Sequence, residues 1–263
     1  MQIRDVSKTY PNGVQALKDV TLTIPPGMYG PLGPNGASES VLMRILATLQ
    51  GPDAGSVRLC ALDVLYRKDD VRKTLGYLPQ ELGVYPKVSA EDLLDHFAVL
   101  KGFAGRRARR QVVEALLRQT NLWDVRKRKL GGYSGGMRQR FGVAVALLGN
   151  PKLIIVDEPT AGLDPEERNR FLNLLAEIGE NVVVILSTHI VEDVSELCSR
   201  MAIIDRGEIL LEAEPLEAIA RLRGRVWKRI DGERLSTVIS CCSLLPRIAR
   251  KKKAIAKALS VPL

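Results

Sequence analysis

A glycine-rich stretch from Gly27 to Leu49 combines the residue types that bind a phosphate group. A strand-like segment leads into the sequence GPNGA at residues 33–37, and an apolar-periodic helix is predicted from about Ser40. Glycines let the backbone approach an anion closely, and a helix N-terminus adds a partial positive charge. The stretch therefore predicts a phosphate-binding loop, and the simpler alternative is an ordinary glycine turn before a helix.

Two residues of this loop depart from the phosphate-binding pattern G-x-x-x-x-G-K-[ST]. Gly33 fits the first glycine and Ser40 fits the closing hydroxyl, whereas Ser38 replaces the second glycine and Glu39 replaces the lysine. Ser38 adds a side chain where the backbone must approach a phosphate. Glu39 brings a negative charge where a positive one is needed. We therefore expect a phosphate-binding loop with impaired chemistry.

Two adjacent carboxylates follow the apolar strand predicted at Leu153–Val156. Acids at the end of a buried strand are costly unless a cation or a polar reaction centre faces them. Asp157 could bind Mg²⁺ through water, and Glu158 could polarise an attacking water. His189 follows a second buried strand, Val182–Leu186, and is either structural or a contact for a γ-phosphate.

A second anion-binding helix N-terminus is predicted in the middle of the chain. Ser134, Gly135 and Gly136 open an apolar helix, a composition that leaves backbone N–H groups available to an anion. Asp164 lies in a turn further along, where Pro165 fits the first position of another helix.

Tyr10 and Gln80 each allow two interpretations. Tyr10 precedes the turn between two predicted strands, where it could pack against the core or stack on a purine ring. Gln80 follows the short predicted strand Leu75–Leu78, where it could be a polar cap or reach a metal near the phosphates. Neither residue predicts a function by itself.

Strand-like and helix-like segments alternate along the chain, which favours a mainly parallel sheet with helices on its faces. Residues 89–122 interrupt this alternation, because Ser89 begins one predicted helix and a second runs from about Arg106 to Thr120. We interpret residues 86–150 as a helical insert within one domain of residues 1–222. Residues 223–263 form a basic C-terminal tail that we expect to be poorly ordered.

The positive charge is concentrated at the end of the chain. Residues 221–263 carry twelve basic and two acidic side chains, which accounts for the whole net charge of +9. This distribution argues against a nucleic-acid surface on the main domain. The tail is either solvated or a contact for a membrane surface. Because the apolar runs are too short to cross a bilayer and the N-terminus has no apolar signal core, we expect a cytoplasmic chain.

Five segments, in this order, resemble the motifs of ATP-binding subunits of ATP-binding cassette (ABC) transporters. They are GPNGASES as the Walker A loop, Gln80 as the Q-loop, YSGGMRQR as the signature, LIIVDEPTAGLD as Walker B with the D-loop, and STHIVED as the switch histidine. The match covers about residues 1–222, and GVYPKVSAEDLLDHF is most similar to bacterial ABC-2-type exporter subunits. The resemblance implies an α/β P-loop NTPase core with a mainly parallel sheet, an antiparallel β subdomain and a helical subdomain insert.

The resemblance also implies cofactors, partners and residue roles. Two cassette subunits stack head to tail, each ATP lies between one subunit's loop and the other's signature, and hydrolysis drives membrane-spanning permease subunits at the inner face of the cell membrane. Glu158 would be the catalytic base and His189 the γ-phosphate sensor. The nucleotide-binding residues would be Tyr10, Gly33, Pro34, Asn35, Gly36, Ala37, Ser38, Glu39, Ser40, Val41, Gln80, Ser134, Gly135, Gly136 and Asp164. The Mg²⁺ ligands would be Ser40, Gln80 and Asp157.

Four residues near the loop depart from the family pattern, namely Pro31, Ser38, Glu39 and Val41. Two hypotheses accommodate these departures. In the first, the chain is a transporter ATPase subunit whose own loop binds ATP poorly, and in a heterodimer it lends its signature to a partner's intact loop. In the second, it is a non-hydrolysing regulatory or scaffold cassette protein.

Overall fold

The computed structural model describes residues 1–33, 37–80, 83, 85–160, 162–179, 182–188, 190–222, 226–231 and 234–239. Four expected site residues, Pro34, Asn35, Gly36 and His189, lie outside these ranges. Most of the predicted tail does too, so its expected lack of order stays a prediction.

The strands belong to three groups. A mixed sheet and an antiparallel sheet are built from β1 (Gln2–Thr9), β2 (Gln15–Thr23), β3 (Gly27–Leu32), β4 (Ala54–Leu59), β5 (Leu62–Asp63), β6 (Leu75–Leu78), β7 (Leu153–Asp157), β8 (Val183–Ser187), β9 (Arg200–Asp205) and β10 (Glu208–Ala213). A separate hairpin in the C-terminal region pairs β11 (Val226–Asp231) with β12 (Arg234–Ile239).

The helices are α1 (Ala37–Leu46), α2 (Lys68–Lys73), α3 (Ala90–Leu100), α4 (Arg106–Gln119), α5 (Gly135–Leu147), α6 (Pro165–Ile178), α7 (Val191–Leu197) and α8 (Pro215–Leu222). Helix α1 begins three residues earlier than the predicted start at Ser40, so the two unusual loop residues lie in its first turn. Within the described ranges, none of these helices combines the length and apolar character that a membrane span requires.

The larger sheet has the order β10-β9-β3-β8-β7-β6, in which β10 alone is antiparallel to its neighbour. The smaller sheet, β2-β1-β4-β5, is antiparallel throughout. This arrangement confirms the predicted α/β class with a mainly parallel sheet and an antiparallel β subdomain.

Pro31 lies in a central strand, where a residue without a backbone N–H is unusual. Strand β3 pairs with β9 up to Leu32, but its pairing with β8 ends at Tyr29. The neighbouring strands β7 and β8 stay paired as far as Asp157 and Ser187. The ladder on one side of β3 therefore stops before the proline, which has no N–H to contribute to it.

Three groups of buried side chains hold the fold together. One lies between the antiparallel sheet, α1 and one face of the parallel sheet, and includes Val41 and Ile45. A second covers the opposite face with α6 and α7 and includes Phe171. The third belongs to the helical insert formed by α3, α4 and α5, where Phe141 and Leu117 are fully buried.

Candidate nucleotide-binding site

The carboxyl ends of four neighbouring parallel strands form one edge of the larger sheet. Gly33 follows β3, Asp157 ends β7, Ser187 ends β8, and Gln80 lies two residues after β6. In open α/β sheets this edge is where ligands bind. The structure therefore brings the phosphate-loop start, the first acid and the glutamine to the edge expected for them.

Glu39 folds back towards the start of the loop. A Cβ atom built on Gly33 would lie 1.8 Å from Glu39 Oε1 and 2.6 Å from the carbonyl oxygen of Ile204. Glu39 is only 5% exposed. The Glu39 carboxyl group is therefore packed against Gly33. It occupies space that a side chain at position 33 would fill.

The electrostatic surroundings of Glu39 are unfavourable to a second anion. Burial raises the pKa of the Glu39 carboxyl, and the nearby charge of Asp205 raises it further, against the lowering effect of a backbone hydrogen bond. In the described part of the chain, no lysine or arginine forms an ion pair with it. A buried acid therefore occupies the position at which the phosphate-binding pattern has a lysine.

Ser38 and Val41, which also depart from the family pattern, make contacts within the fold. The Ser38 hydroxyl accepts a hydrogen bond from the Gly207 N–H at 3.1 Å, in the turn between β9 and β10. Val41 is 5% exposed and packs in the core beside α1. Ser40 remains half-buried in the first turn of the helix.

Glu158, the second acid after β7, is one of eight non-glycine residues of the described chain with a positive φ. Glu158 has a φ of 48°, in the left-handed region that non-glycine residues rarely adopt, and its N–H donates to the Ser187 carbonyl at 2.8 Å. Such conformations concentrate at functional sites, because the surrounding structure must impose them. Asp157, half-buried, pairs with Ser187 across the ladder, so both acids lie beside the end of the strand that leads to the predicted switch histidine.

The structure places Tyr10 and Gln80 without deciding between a packing or polar-cap role and a role in ligand binding. The Tyr10 hydroxyl lies 3.3–3.4 Å from the side-chain amide of Gln50, and the half-buried ring packs beside the core next to α1. Gln80 is exposed. These contacts are compatible with a packing or polar-cap role and leave the ligand roles as proposals.

The predicted signature forms the exposed start of α5. The Ser134 hydroxyl caps this helix by accepting the Met137 N–H at 3.2 Å, and Ser134 and Gly135 are both exposed. Gly136 is buried, and a Cβ there would lie 2.2 Å from Glu167 Oε2. A helix start of this kind offers backbone N–H groups to an anion approaching from outside the chain.

Asp164 places the start of α6 against the signature. Its side chain accepts the Glu167 N–H at 2.9 Å, which confirms the predicted helix start before Pro165. Leu163 contacts the position of a Gly135 Cβ at 3.7 Å. Among the described contacts, the start of α5 lies beside Leu163 and the first turn of α6, and none joins it to Gly33 or Glu39.

A buried polar network near the acidic pair was not predicted from the sequence. Asp193 is fully buried, accepts the Thr160 hydroxyl at 2.8 Å and accepts Arg168 Nε at 2.8 Å. It ties the segment after Glu158 to α6 and α7. The available signal was an acid between Val191 and Val194, which are apolar residues on the buried side of α7.

A mainly parallel sheet with a phosphate-loop edge, an antiparallel β subdomain and a helical insert defines the class of P-loop ATPase cassettes. Residues 17–161 match the family model described as ABC transporter. The chain therefore belongs to the ABC transporter family, as an ATP-binding cassette of the P-loop NTPase class.

Two relatives are named for drug resistance. The daunorubicin/doxorubicin resistance ATP-binding protein DrrA of Streptomyces peucetius is 35% identical over 85% of this chain and 71% of its own length. The doxorubicin resistance ATP-binding protein DrrA of Mycobacterium tuberculosis is 37% identical over 80% of this chain. The aligned part is 64% of that relative's own length, so this chain spans just under two thirds of it.

Two solved structures share the fold. The dimeric, post-hydrolysis structure of the ATP-binding cassette MJ0796, bound to ADP and Pi, has a TM-score of 0.72 at 26% identity, covering 81% of this chain and 98% of that one. The cbiO1 protein of Clostridium perfringens, part of the transporter complex cbiONQ, has a TM-score of 0.75 at 24% identity, covering 85% and 94%. The second likeness supports the fold alone.

Proposed function

We propose that this chain is a transporter nucleotide-binding subunit that works beside an intact cassette partner. Its own phosphate loop binds ATP weakly, and its signature helix completes the partner's site. The observation that carries this proposal is the Glu39 carboxyl packed against Gly33 in place of a lysine ammonium. The exposed, capped start of α5 supports the second half of the proposal.

The size of the charge effect supports weak binding. Two unit charges about 4 Å apart interact by roughly 4 kcal/mol at an effective dielectric near 20. Replacing an attraction by a repulsion, even with most of it lost to solvent screening, removes several kcal/mol. That loss corresponds to an affinity decrease on the order of a thousandfold.

The residue roles follow the family motifs. Glu158 and His189 would act on the attacking water and the γ-phosphate. Mg²⁺, which supplies charge neutralisation at the phosphates, would be held by Ser40, Gln80 and Asp157. The nucleotide would contact Tyr10, the loop residues 33–41 and, from the partner's side, Ser134, Gly135, Gly136 and Asp164.

Membrane-spanning permease subunits are the proposed transport partners, and they would hold this chain at the cytoplasmic face. An exposed apolar region on the insert supports this assignment. Phe97 and Leu100 line a groove of about 310 Å³ together with Lys101 and residues of α2 and α5. Leu100 is 69% exposed and Tyr85, in the segment before α3, is 62% exposed. The basic tail would add a contact with the anionic membrane surface.

The loop proposal is tested by repairing the loop. The double substitution Ser38→Gly with Glu39→Lys should tighten ATP binding at least a hundredfold, measured by isothermal titration with Mg²⁺ present. Glu177→Lys, at an exposed position of α6, is the control because it changes one acid to the same base. ATP binding by the unmodified chain as tight as that of the repaired chain would contradict the proposal.

The signature proposal is tested in a mixture with an intact cassette partner. Ser134→Arg should abolish the ATP turnover of the pair, since it blocks the helix start that faces the partner's nucleotide. Glu39→Gln should leave that turnover within about twofold, because Glu39 belongs to the other site. Equal effects of the two substitutions would contradict the division of roles.

A non-hydrolysing scaffold is the second candidate, favoured by Glu39 and by the exposed apolar residues of the insert. Ser134→Arg separates the candidates in cells that depend on this chain for transport. A scaffold keeps its function with Ser134→Arg and loses it with Leu100→Glu in the groove. A subunit whose signature completes the partner's site loses function with both substitutions.

A further inference from the structure

A second cavity lies at the opposite edge of the sheet from the candidate nucleotide site. Its volume is about 670 Å³, within the usual range of ligand pockets. Lys152 and Val183 line it where β7 and β8 begin, Pro26 lines it just before β3, and Arg58 and Cys60 line it around the end of β4.

The charged side chains that line this cavity are positive. Its described lining includes Arg58 and Lys152 and no carboxylate. Both cations are exposed, and neither has an ion pair within the part of the chain that the structure describes. Asp63 lies opposite Arg58 across the ladder, but its carboxylate accepts the N–H groups of Leu65 and Tyr66, two and three residues further along the chain.

The rest of the wall is mainly apolar. Pro26 is exposed and Val182 is half-buried, so both offer carbon surface to the cavity, and the buried residues Pro151 and Val183 lie beside them. A ligand in this cavity would therefore place an apolar body against these side chains and an anionic group near the two cations. Pockets that combine apolar walls with a few charged groups orient ligands in this way.

We propose that this cavity binds a small amphipathic anion, a molecule with an apolar chain and one carboxylate held between Arg58 and Lys152. This site goes beyond the proposed function, because it shares no residue with the nucleotide site. Evidence against one proposal therefore does not count against the other.

Cys60 provides a reporter at the cavity wall. Its side chain is exposed, whereas Cys198 is buried. Alkylation of Cys60 by a maleimide can be followed at the level of its own peptide by mass spectrometry, in the full chain without nucleotide. Decanoate, kept below its micelle-forming concentration, should slow this alkylation at least tenfold, and uncharged decanol should need at least a tenfold higher concentration for the same protection.

The paired substitution Arg58→Gln with Lys152→Gln should raise the half-protecting concentration of decanoate at least tenfold. Arg110→Gln with Lys127→Gln, at exposed positions on the insert, removes the same charge and should leave it unchanged. Thermal unfolding of each variant confirms that it is folded. Equal protection by decanoate and decanol, no protection at millimolar decanoate, or equal effects of the two paired substitutions would overturn the proposal.

Discussion

Tyr29 carries a buried polar group in the central strand β3. The residue is 1% exposed, and its hydroxyl has no hydrogen-bond partner among the described residues. Burial raises the Tyr29 pKa far above the usual range, and the charge of Glu212 adds to this effect. An unpaired buried hydroxyl costs about 1–3 kcal/mol of the free energy of unfolding.

Tyr29→Phe is therefore expected to raise the free energy of unfolding by about 1 kcal/mol, because it removes the unpaired hydroxyl. The same substitution should weaken alkaline destabilisation. The unfolded chain releases the tyrosine proton near pH 10 and the folded chain keeps it, so the wild type loses stability as the pH rises above 10. Urea unfolding at pH 7 and pH 11 measures both effects. A less stable variant with an unchanged pH dependence would contradict this account.

Asp193, unlike Tyr29, is a buried polar residue whose side chain has hydrogen-bond partners, namely Thr160 and Arg168. Asp193→Ala should lower the free energy of unfolding by about 3 kcal/mol, because Arg168 and Thr160 both lose their partner. Glu114→Ala is the control, since it removes an acid from an exposed pair with Arg118 and should cost at most about 0.5 kcal/mol. Similar costs in denaturant unfolding would show that the buried network is not stabilising.

At the scale of helices and strands, close packing is expected to decide which glycines are required. Strand β6 lies so near α5 that a Cβ on Gly76 would be 2.2 Å from the Ala146 carbonyl oxygen. Around Gly51, after α1, no atom lies within 4 Å of such a Cβ among the described residues. Gly76 and Gly51 therefore provide a test substitution and its control.

Gly76→Ala should destabilise the protein by about 2–3 kcal/mol, because the backbone of α5 must move away from the sheet. Gly51→Ala should change stability by less than about 1 kcal/mol. Chemical denaturation of the two variants is the measurement. Equal stability of both would mean that the helix and the strand can separate at little cost.

Three helix starts were predicted correctly from sequence, whereas the start of α1 was predicted three residues too late. Ser89, Ser134 and Asp164 each cap the helix expected to follow them, because capping depends on residues within three positions along the chain. The parallel strands β6, β7 and β8 were also predicted, with bounds within one residue. Their apolar runs are continuous because both faces of the sheet are buried.

The contacts within the site could not be predicted in the same way. The Glu39 side chain lies against Gly33, and so does the Ile204 carbonyl of β9, which is far along the chain. The Asp193 network joins three segments separated by up to 33 positions. Such contacts follow from tertiary packing, so residue types and local spacing do not determine them.

At the scale of the whole molecule, the proposed impairment predicts how the chain associates. MJ0796 was captured as a dimer with ADP and Pi. A chain that binds ATP weakly should remain monomeric with ATP and Mg²⁺. The repaired chain, with Ser38→Gly, Glu39→Lys and Glu158→Gln to slow hydrolysis, should dimerise.

Sedimentation velocity measures this difference directly. The same repaired chain with Ser134→Arg should stay monomeric, because in the proposed head-to-tail pair each signature helix faces the loop of the other subunit. ATP-dependent dimers of the unmodified chain would contradict the impairment. Dimers of the Ser134→Arg variant would contradict the assigned role of the signature.

Helix α5 has side chains in two of the three buried groups. Val143 and Ala146 pack with the parallel sheet, while Phe141, Ala144 and Leu148, which directly follows the helix, pack inside the insert. A rotation of the insert against the sheet would therefore break the contacts of α5 with the insert or its contacts with the sheet. A force applied at Ser134 would therefore be transmitted towards β6 along one continuous helix about four turns long.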